Sequence, residues 1–203
     1  MLDYGDWRTL RGALLCRFLG RTDVARWADT SNYDDWEERT RLIAGLIPDG
    51  SRVIEFGAGG RILEKHLSSN CHYVPADLVS RGPDTMLVDL NRPPLPSVTD
   101  QFDVAVFAGV LEYVQRIPSL LRWLAAEVPS VVASYCCAET PARSLGRLRE
   151  SFTRASYGWV NSYSEADLVG IATRSGFKVE RTITRTTPDG GERIFKFTRK
   201  LSV

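Results

Sequence analysis

The fold of this 203-residue chain is decided by the stretch Val53-Ile-Glu-Phe-Gly-Ala-Gly-Gly-Arg61. Its apolar start predicts a buried strand, and its glycines predict a tight turn that opens into a helix. Because glycine has no side chain, backbone amides in such a turn can approach a small ligand, and Glu55 stands two positions before the first glycine. The same turn can also serve strand–helix packing alone, so the motif by itself leaves both interpretations open.

Three further predicted strands end in a similar way, each at an acid or a glycine. Residues 72–77 (His-Tyr-Val-Pro-Ala-Asp) end at an acid 20 positions beyond Gly57, and residues 85–89 (Thr-Met-Leu-Val-Asp) end at a second acid. Residues 102–109 form an apolar fourth strand that breaks into Val-Leu-Glu-Tyr. Because an open α/β sheet binds its ligand outside the carboxyl ends of its strands, the four ends together predict a ligand crevice.

Helical and strand patterns alternate over the rest of the chain. Predicted helices cover residues 33–47, 60–68, 118–127 and 164–176, and a fifth strand covers residues 130–135. Two last strands, 177–187 and 192–199, flank a Pro-Asp-Gly-Gly turn. This alternation predicts an α/β fold in which helices cover both faces of a parallel sheet that ends in an antiparallel hairpin.

These motifs resemble the class I S-adenosylmethionine-dependent methyltransferases, in particular their small single-domain, type 11-like members. The resemblance runs from about residue 36 to the C-terminus. It implies a Rossmann-like, doubly wound, seven-stranded and mostly parallel sheet in one domain, 1–203. It also implies S-adenosylmethionine as the cofactor, S-adenosylhomocysteine as its product, and no metal. Two regions lie outside the shared core, an N-terminal helical arm at 1–32 and a lid-like insertion at 136–163.

The resemblance assigns the Gly-rich turn to the methionine part of the cofactor. This role carries over to Glu55, Gly57, Ala58 and Gly59. The family's usual pattern has a third glycine where this chain has Arg61, so the turn is expected to approach the cofactor carboxylate differently.

The two acids that follow the turn are assigned to the nucleoside. Asp77 is expected to hold the ribose hydroxyls, with Leu78 beside the adenine, and Asp89 is expected to meet the adenine amino group next to the Leu90 amide. A nicotinamide dehydrogenase also has a glycine turn and an acid roughly 20 residues later. Its fingerprint, however, needs a glycine where this chain has Ile62, and it has no use for Asp89.

The end of the fourth strand is expected to face the methyl acceptor. In the family, Ala108 and Gly109 would lie against the methionine end of the cofactor. Many relatives continue with Leu-Glu-His, whereas this chain has Glu112 followed by Tyr113. Glu112 is therefore the candidate general base for a hydroxyl acceptor, and Tyr113 is a candidate for orienting it. A charge placed favourably at a helix N-terminus is the alternative interpretation of Glu112.

The insertion at 136–163 has two parts. A helix is predicted over residues 141–154, with its apolar and basic side chains on different sides. The apolar side chains are Leu145, Leu148 and Phe152, and the basic ones are Arg143, Arg147 and Arg154. Its arginines either form a solvated face with ion pairs to Glu150 or hold an anionic group of the acceptor.

The second part, residues 157–163, is rich in aromatic and amide side chains. Trp159, Asn161 and Tyr163 are predicted either to contact a flat or sugar-like acceptor or to close the core as an aromatic plug. The arm contains Trp7 and Trp27 among several arginines, and it is expected either to fold over the cofactor or to pad the sheet.

Composition limits the remaining functional classes. A net charge of +1 and a pI near 7.7 give no reason to expect nucleic acid as a partner. Every apolar run is shorter than the roughly 20 residues of a membrane span, and the first residues lack the basic start of a secretory signal, so a cytoplasmic location without membrane contact is predicted. The four cysteines, at positions 16, 71, 136 and 137, show no zinc-ligand spacing.

The resulting prediction is methyl transfer to a small polar acceptor. A hydroxyl is preferred as the accepting group, on a saccharide or another hydroxylated metabolite. Two alternatives stay open: an N-methyltransferase acting on a small amine, and a non-catalytic S-adenosylmethionine-binding protein or partner subunit. The sequence leaves the oligomeric state open.

Overall fold

The computed structural model describes residues 36–140, 144–187 and 190–200, together with the isolated positions 12, 22, 24 and 27. The rest of the predicted arm lies outside the described residues. So do residues 141–143, at the predicted start of the insertion helix, and residues 188–189, in the predicted hairpin turn.

The described strands form one seven-stranded sheet. They are β1 (Arg52–Phe56), β2 (His72–Asp77), β3 (Met86–Leu87), β4 (Val104–Phe107), β5 (Ser130–Cys136), β6 (Phe177–Thr187) and β7 (Gly190–Arg199). Their order is β3-β2-β1-β4-β5-β7-β6. The first five strands run parallel, while β7 is antiparallel to both β5 and β6. The predicted fold class is thereby confirmed, including the C-terminal hairpin.

Five helices are described around this sheet. They are α1 (Glu37–Ala44), α2 (Ile62–His66), α3 (Ile117–Glu127), α4 (Leu145–Ser156) and α5 (Glu165–Arg174), and a short 3-10 helix covers Leu111–Tyr113. The predicted capping box is present at the start of α5, where Ser164 and Asp167 bond each other's backbone amides. Within the described residues, no helix is long and apolar enough to cross a membrane.

Two apolar layers hold the helices against the sheet. On one face, Leu121 of α3 and Leu168 of α5 pack with Phe107 of β4 in the larger core cluster. On the other face, Ile43 of α1 and Leu63 of α2 are fully buried against β1 and β4. Burying a side chain of this size contributes about 1.5–3 kcal/mol.

The strand order places a crevice above β1 and β4. The chain moves outward from β1 to β2 and β3, then returns to the other side of β1 to form β4. At such a switch point the connections after the two central strands leave in opposite directions, and a space remains between them at the carboxyl ends.

Candidate active site

The structure has a cleft at this switch point, of about 680 Å³ when its open mouth is included. Among the described residues, its lining comprises Thr22, Trp27, Trp36, Phe56, Gly57, Gly59, Asp77, Leu78, Arg81, Val88, Asp89, Leu90, Asn91, Ala108, Gly109, Val110, Tyr113 and Val114. Eight of the ten residues that the sequence assigned to the cofactor are in this set.

The glycine turn after β1 exposes backbone to the cleft. Gly57 has φ +72°, and a Cβ added there would lie 2.5 Å from Cγ2 of Val110. Its amide donates to the Ala76 carbonyl at 2.7 Å, which ties the turn to β2. A side chain at position 57 would therefore meet both backbone strain and a clash, so only glycine leaves the turn open to a ligand.

Arg61 occupies the position of the missing third glycine and takes a left-handed conformation, with φ 55°. This conformation costs free energy in any residue with a side chain. Its guanidinium pairs with Glu64 at 2.9 Å and with Asp84 at 2.8 Å, and lies over the Tyr73 ring. These contacts turn the side chain toward the surface, so Arg61 does not line the cleft.

Asp77 connects the glycine turn to the end of β2. It is buried, and its Oδ2 accepts from the Gly59 amide at 2.8 Å and from Nε of Arg81 at 3.2 Å. One carboxylate thus fixes the turn while it faces the cleft beside Leu78.

Asp89 lines the cleft just beyond the end of β3. Its Oδ1 accepts from Oγ1 of Thr22 and from the Asn91 amide, both at 2.9 Å. Leu90 adds an apolar wall next to it. Thr22 and Trp27, two described positions of the arm, therefore line the cleft.

Glu55 and Ala58 are the two assigned cofactor residues that do not line the cleft. Glu55 is 3% exposed, and its Oε2 accepts from the Tyr73 hydroxyl at 2.6 Å. Burial raises the pKa of this carboxyl to about 8, although the Tyr73 hydroxyl and Arg39 oppose the shift. Glu55 is thus held by Tyr73 of the neighbouring strand β2 and does not line the cleft.

Glu112 is also placed away from the cleft. The residue is 2% exposed, and its Oε1 accepts from the Cys136 amide at 2.8 Å. Its Oε2 is buried without a hydrogen-bond partner among the described residues. Burial raises its pKa to about 7. Because the carboxyl points toward the end of β5, the structure does not bring it to the acceptor side.

Tyr113 does line the cleft, and two tryptophans hold its ring. Trp27 meets it edge-on, with ring centroids 4.6 Å apart. Nε1 of Trp159 donates to the Tyr113 hydroxyl at 3.1 Å, and the Arg154 guanidinium lies 5.0 Å from the Trp159 ring centroid. Trp159 therefore reaches the site through Tyr113 rather than by lining the cleft.

Asn161 and Tyr163 are part of the scaffold and do not line the cleft. The Asn161 amide donates to the carbonyls of Leu111 at 2.7 Å and Val114 at 2.9 Å, and it accepts from the Tyr135 hydroxyl at 2.5 Å. The Tyr163 amide donates to that same hydroxyl. This network clamps the turn that bears Tyr113.

Helix α4 is oriented the opposite way to an ordinary surface helix. Leu145, Leu148 and Phe152 are 86%, 68% and 70% exposed, whereas Arg147 and Arg154 are buried. Arg147 donates to the carbonyls of Thr140 and Ser162, and Arg154 donates to the carbonyl of Cys136. The predicted ion pairs to Glu150 are present, at 3.3 Å from Arg154 and 3.9 Å from Arg147. The predicted solvated face is wrong, because both guanidinium groups are buried and donate to backbone carbonyls, and neither arginine lines the cleft.

A family model described as a methyltransferase domain matches residues 24–182. The chain belongs to this methyltransferase family. The predicted class, an S-adenosylmethionine-dependent methyltransferase of class I, is thereby confirmed. A search of curated proteins found no match.

Solved structures share the fold of this methyltransferase. The 1,6-didemethyltoxoflavin-N1-methyltransferase of Burkholderia thailandensis is 15% identical with a TM-score of 0.63, over 99% of this chain and 92% of that one. An S-adenosylmethionine-dependent methyltransferase from Mesorhizobium loti is 19% identical with a TM-score of 0.59, over 78% and 96%. Magnesium protoporphyrin IX methyltransferase from Synechocystis is 17% identical with a TM-score of 0.55, over 81% and 83%. At these identities the likeness shows the fold alone.

Sequence reasoning missed several residues that line the cleft of the methyltransferase. Asn91 is the clearest case: its amide donates to the Tyr113 carbonyl at 2.9 Å and to Oγ1 of Thr22 at 3.2 Å, while its Oδ1 accepts from the Gln115 amide. Its position two residues after Asp89 was an available signal, since asparagine commonly bonds nearby backbone in a turn. Trp36 and Thr22 carry no comparable local signal.

Proposed function

We propose that this methyltransferase transfers a methyl group from S-adenosylmethionine to a hydroxyl group of a small polar acceptor. The residues of the cleft fit the cofactor. The turn at Gly57 leaves no room for a Cβ, and the carboxylates of Asp77 and Asp89 line the same cleft from neighbouring strands. These groups would hold the methionine part, the ribose and the adenine respectively. The bound cofactor supplies an electrophilic methyl group on a sulfonium.

The protein's part in such a displacement is to position the acceptor and to exclude water. Trp27, Trp36 and Tyr113 give the cleft aromatic walls beside Gly109. Aromatic faces of this kind suit a flat ring or a sugar. Correct alignment of two reactants can lower a barrier by about 7–11 kcal/mol, and a hydroxyl acceptor also needs a group that takes or orients its proton.

The Tyr113 hydroxyl is the group that we assign to this task. The observation that carries the proposal is its hydrogen bond from Nε1 of Trp159, at 3.1 Å, while the ring lines the cleft. An indole N–H can only donate, so the phenol oxygen is held in one orientation. The same donor would stabilise the negative charge of a phenolate, the form of Tyr113 that can accept the proton of the attacking hydroxyl. Glu112 is not proposed as the base, because its carboxyl faces β5.

Calorimetric titration with S-adenosylhomocysteine tests the cofactor half of the proposal. The unmodified chain should bind it, and Asp89→Ala should weaken binding by about 10–100-fold because a charge-assisted hydrogen bond is lost. An exposed acid outside the cleft, changed as Asp49→Ala, is the matched control. Absence of heat with the unmodified chain would refute the proposal.

Transfer of a radiolabelled methyl group to matched acceptor pairs tests the other half. Each pair should have the same skeleton with either a hydroxyl or an amino group. Tyr113→Phe should lower kcat with hydroxyl acceptors by about 100-fold, which is the low end of the range for a positioned acid or base. The affinity for S-adenosylhomocysteine should stay unchanged. Tyr157→Phe is the control, because Tyr157 packs on Trp159 outside the cleft lining. Label in amines alone would support nitrogen as acceptor, and binding without any transfer would support a non-catalytic role.

A further inference from the structure

Asn91 joins three segments of the cleft wall. Its backbone amide donates to Oδ1 of Asp89 at 2.9 Å, just beyond the end of β3. Its side-chain Nδ2 donates to the Tyr113 carbonyl at 2.9 Å and to Oγ1 of Thr22 at 3.2 Å. Its Oδ1 accepts from the Gln115 amide at 2.8 Å. One residue therefore connects the segment after β3, a described position of the arm and the 3-10 turn after β4.

The side-chain bonds of Asn91 are tertiary contacts and not those of a local turn. An asparagine in a turn ordinarily bonds backbone groups within a few residues of itself. Here the two backbone partners are 22 and 24 positions further along the chain, on either side of Val114. A primary amide offers both donors and an acceptor, and Asn91 applies both kinds of group to the same turn. The backbone at Tyr113 is thus fixed at two points.

Tyr113 is anchored at its side chain and at its backbone by different residues. Nε1 of Trp159 orients the hydroxyl, and the ring of Trp27 meets the phenol ring edge-on. Asn91 connects the backbone to Asp89, the acid that the proposed function assigns to the adenine, and all three residues line one cleft. The distance between the cofactor and the Tyr113 hydroxyl therefore depends on this connection.

We infer that Asn91 is a positioning residue for methyl transfer, which holds the Tyr113 hydroxyl at the distance from the cofactor that the acceptor requires. The inference rests on the proposed function, because Asn91 acts through Tyr113. The two reacting atoms must lie about 3–3.5 Å apart and in line, and a misplacement of about 1 Å can cost about 100-fold in rate. Loss of this support should therefore lower kcat more than it lowers the affinity for the cofactor.

Two substitutions separate the bonds that Asn91 makes. Asn91→Asp keeps the shape and the acceptor for the Gln115 amide, but it replaces the Nδ2 donor with an oxygen that faces the Tyr113 carbonyl. Asn91→Ala removes every side-chain bond without adding charge, and it serves as the second variant if Asn91→Asp fails to fold. Asn70→Ala, at an exposed asparagine that bonds Asp49, is the matched control.

Exchange of the Trp159 indole proton with solvent, followed by NMR in the full chain without ligand, reports whether Tyr113 is held in place. The Tyr113 hydroxyl accepts the hydrogen bond of this proton, and Trp159→Phe assigns its signal. Both Asn91 variants should speed its exchange by about tenfold relative to the Trp123 indole, roughly the effect of losing one hydrogen bond. Trp123 packs against the core, so a general loss of stability would speed exchange at both indoles. Asn70→Ala should leave the ratio unchanged.

Methyl transfer to the hydroxyl members of the acceptor pairs measures the catalytic consequence. Asn91→Ala should lower kcat by about 10–100-fold in the otherwise unmodified chain, but by less than about twofold in a chain that already carries Tyr113→Phe. A purely structural role would cost the same in both chains. The affinity for S-adenosylhomocysteine, measured by calorimetry, should stay close to that of the unmodified protein.

An exchange ratio that neither Asn91 variant changes, or equal losses of kcat with and without Tyr113→Phe, would refute the inference while the proposed function stands. A loss of affinity for S-adenosylhomocysteine as large as the loss of kcat would assign Asn91 to the cofactor site and would also overturn it. If the unmodified protein methylates no hydroxyl compound, or if Tyr113→Phe leaves kcat unchanged, the proposed function itself fails, and the role of Asn91 in the reaction fails with it.

Discussion

The cofactor side of the cleft and the segment from 136 to 163 differ in how their functional groups are held. On the cofactor side, Gly57, Asp77 and Asp89 stand at or just after the ends of strands, and the sheet register alone brings them together. In the segment from 136 to 163, Asn161 and Arg147 act through carbonyls of residues distant in the chain. Local sequence therefore specifies the first region, and tertiary contacts specify the second.

The largest expected effect is that of closing the glycine turn. Gly57→Ala should lower the affinity for S-adenosylhomocysteine by about 100–1,000-fold. A left-handed backbone conformation costs alanine about 1–2 kcal/mol, and the new methyl group would clash with Cγ2 of Val110. The double change Gly57→Ala with Val110→Ala should recover about tenfold, since it removes the clash but not the strain. Calorimetry measures both. An affinity unchanged by Gly57→Ala would show that the turn does not approach the ligand.

The cleft could be predicted because its signals are carried by single residues in an ordered backbone pattern. In any parallel sheet, a glycine after a strand indicates a tight turn, and acids at strand ends indicate a ligand crevice. The departure at Arg61 was also visible in the sequence. Its consequence was not, because one of the two ion pairs that turn the side chain outward is made with Asp84, in a loop 23 residues further on.

The next expected effect concerns the clamp under Tyr113. Asn161→Ala should lower the free energy of unfolding by about 2–4 kcal/mol, because it leaves the carbonyls of Leu111 and Val114 without their buried donor. Urea unfolding measures this loss. Asn70→Ala is the matched control, since Asn70 bonds Asp49 on the exposed surface and should cost less than about 0.5 kcal/mol. Equal losses for the two variants would contradict the clamp.

The segment from 136 to 163 could not be predicted in the same detail, because the same residue types can either contact a ligand or form hydrogen bonds within the protein. Asn161 and Tyr163 are suitable for contacting a polar ligand, yet they bond the Tyr135 hydroxyl and the backbone. The apolar spacing of Leu145, Leu148 and Phe152 predicts the helix correctly, but not which face is buried. Periodicity determines which residues share a face, and only the surrounding carbonyls determine that the arginines turn inward.

A smaller effect tests this inverted helix. Arg147→Met should destabilise the protein by about 1–3 kcal/mol, because the carbonyls of Thr140 and Ser162 lose a buried charged donor. Leu148→Ser, next to it on the exposed face, should change stability by less than about 0.5 kcal/mol. Urea unfolding of the pair measures the difference. A larger loss for Leu148→Ser would show that α4 buries its apolar face.

The smallest expected effect is a change in pH dependence at the boundary between the two regions. The pKa of Glu112 is about 7 in the folded protein against an ordinary 4.5, so the folded state retains a proton that the unfolded state releases. Its contribution to stability is therefore present below pH 4.5 and is lost as the pH rises to about 7, with a slope of at most about 1.4 kcal/mol per pH unit.

Glu112→Gln removes this proton while its side-chain oxygen can still accept from the Cys136 amide. Urea unfolding from pH 5 to pH 8 should show a shallower decline for Glu112→Gln than for the unmodified protein, and a gain of about 1–2 kcal/mol at pH 8. The residual decline should come from Glu55, whose pKa is also raised. Parallel curves for Glu112→Gln and the unmodified protein would mean that Glu112 is charged in the folded state over this pH range.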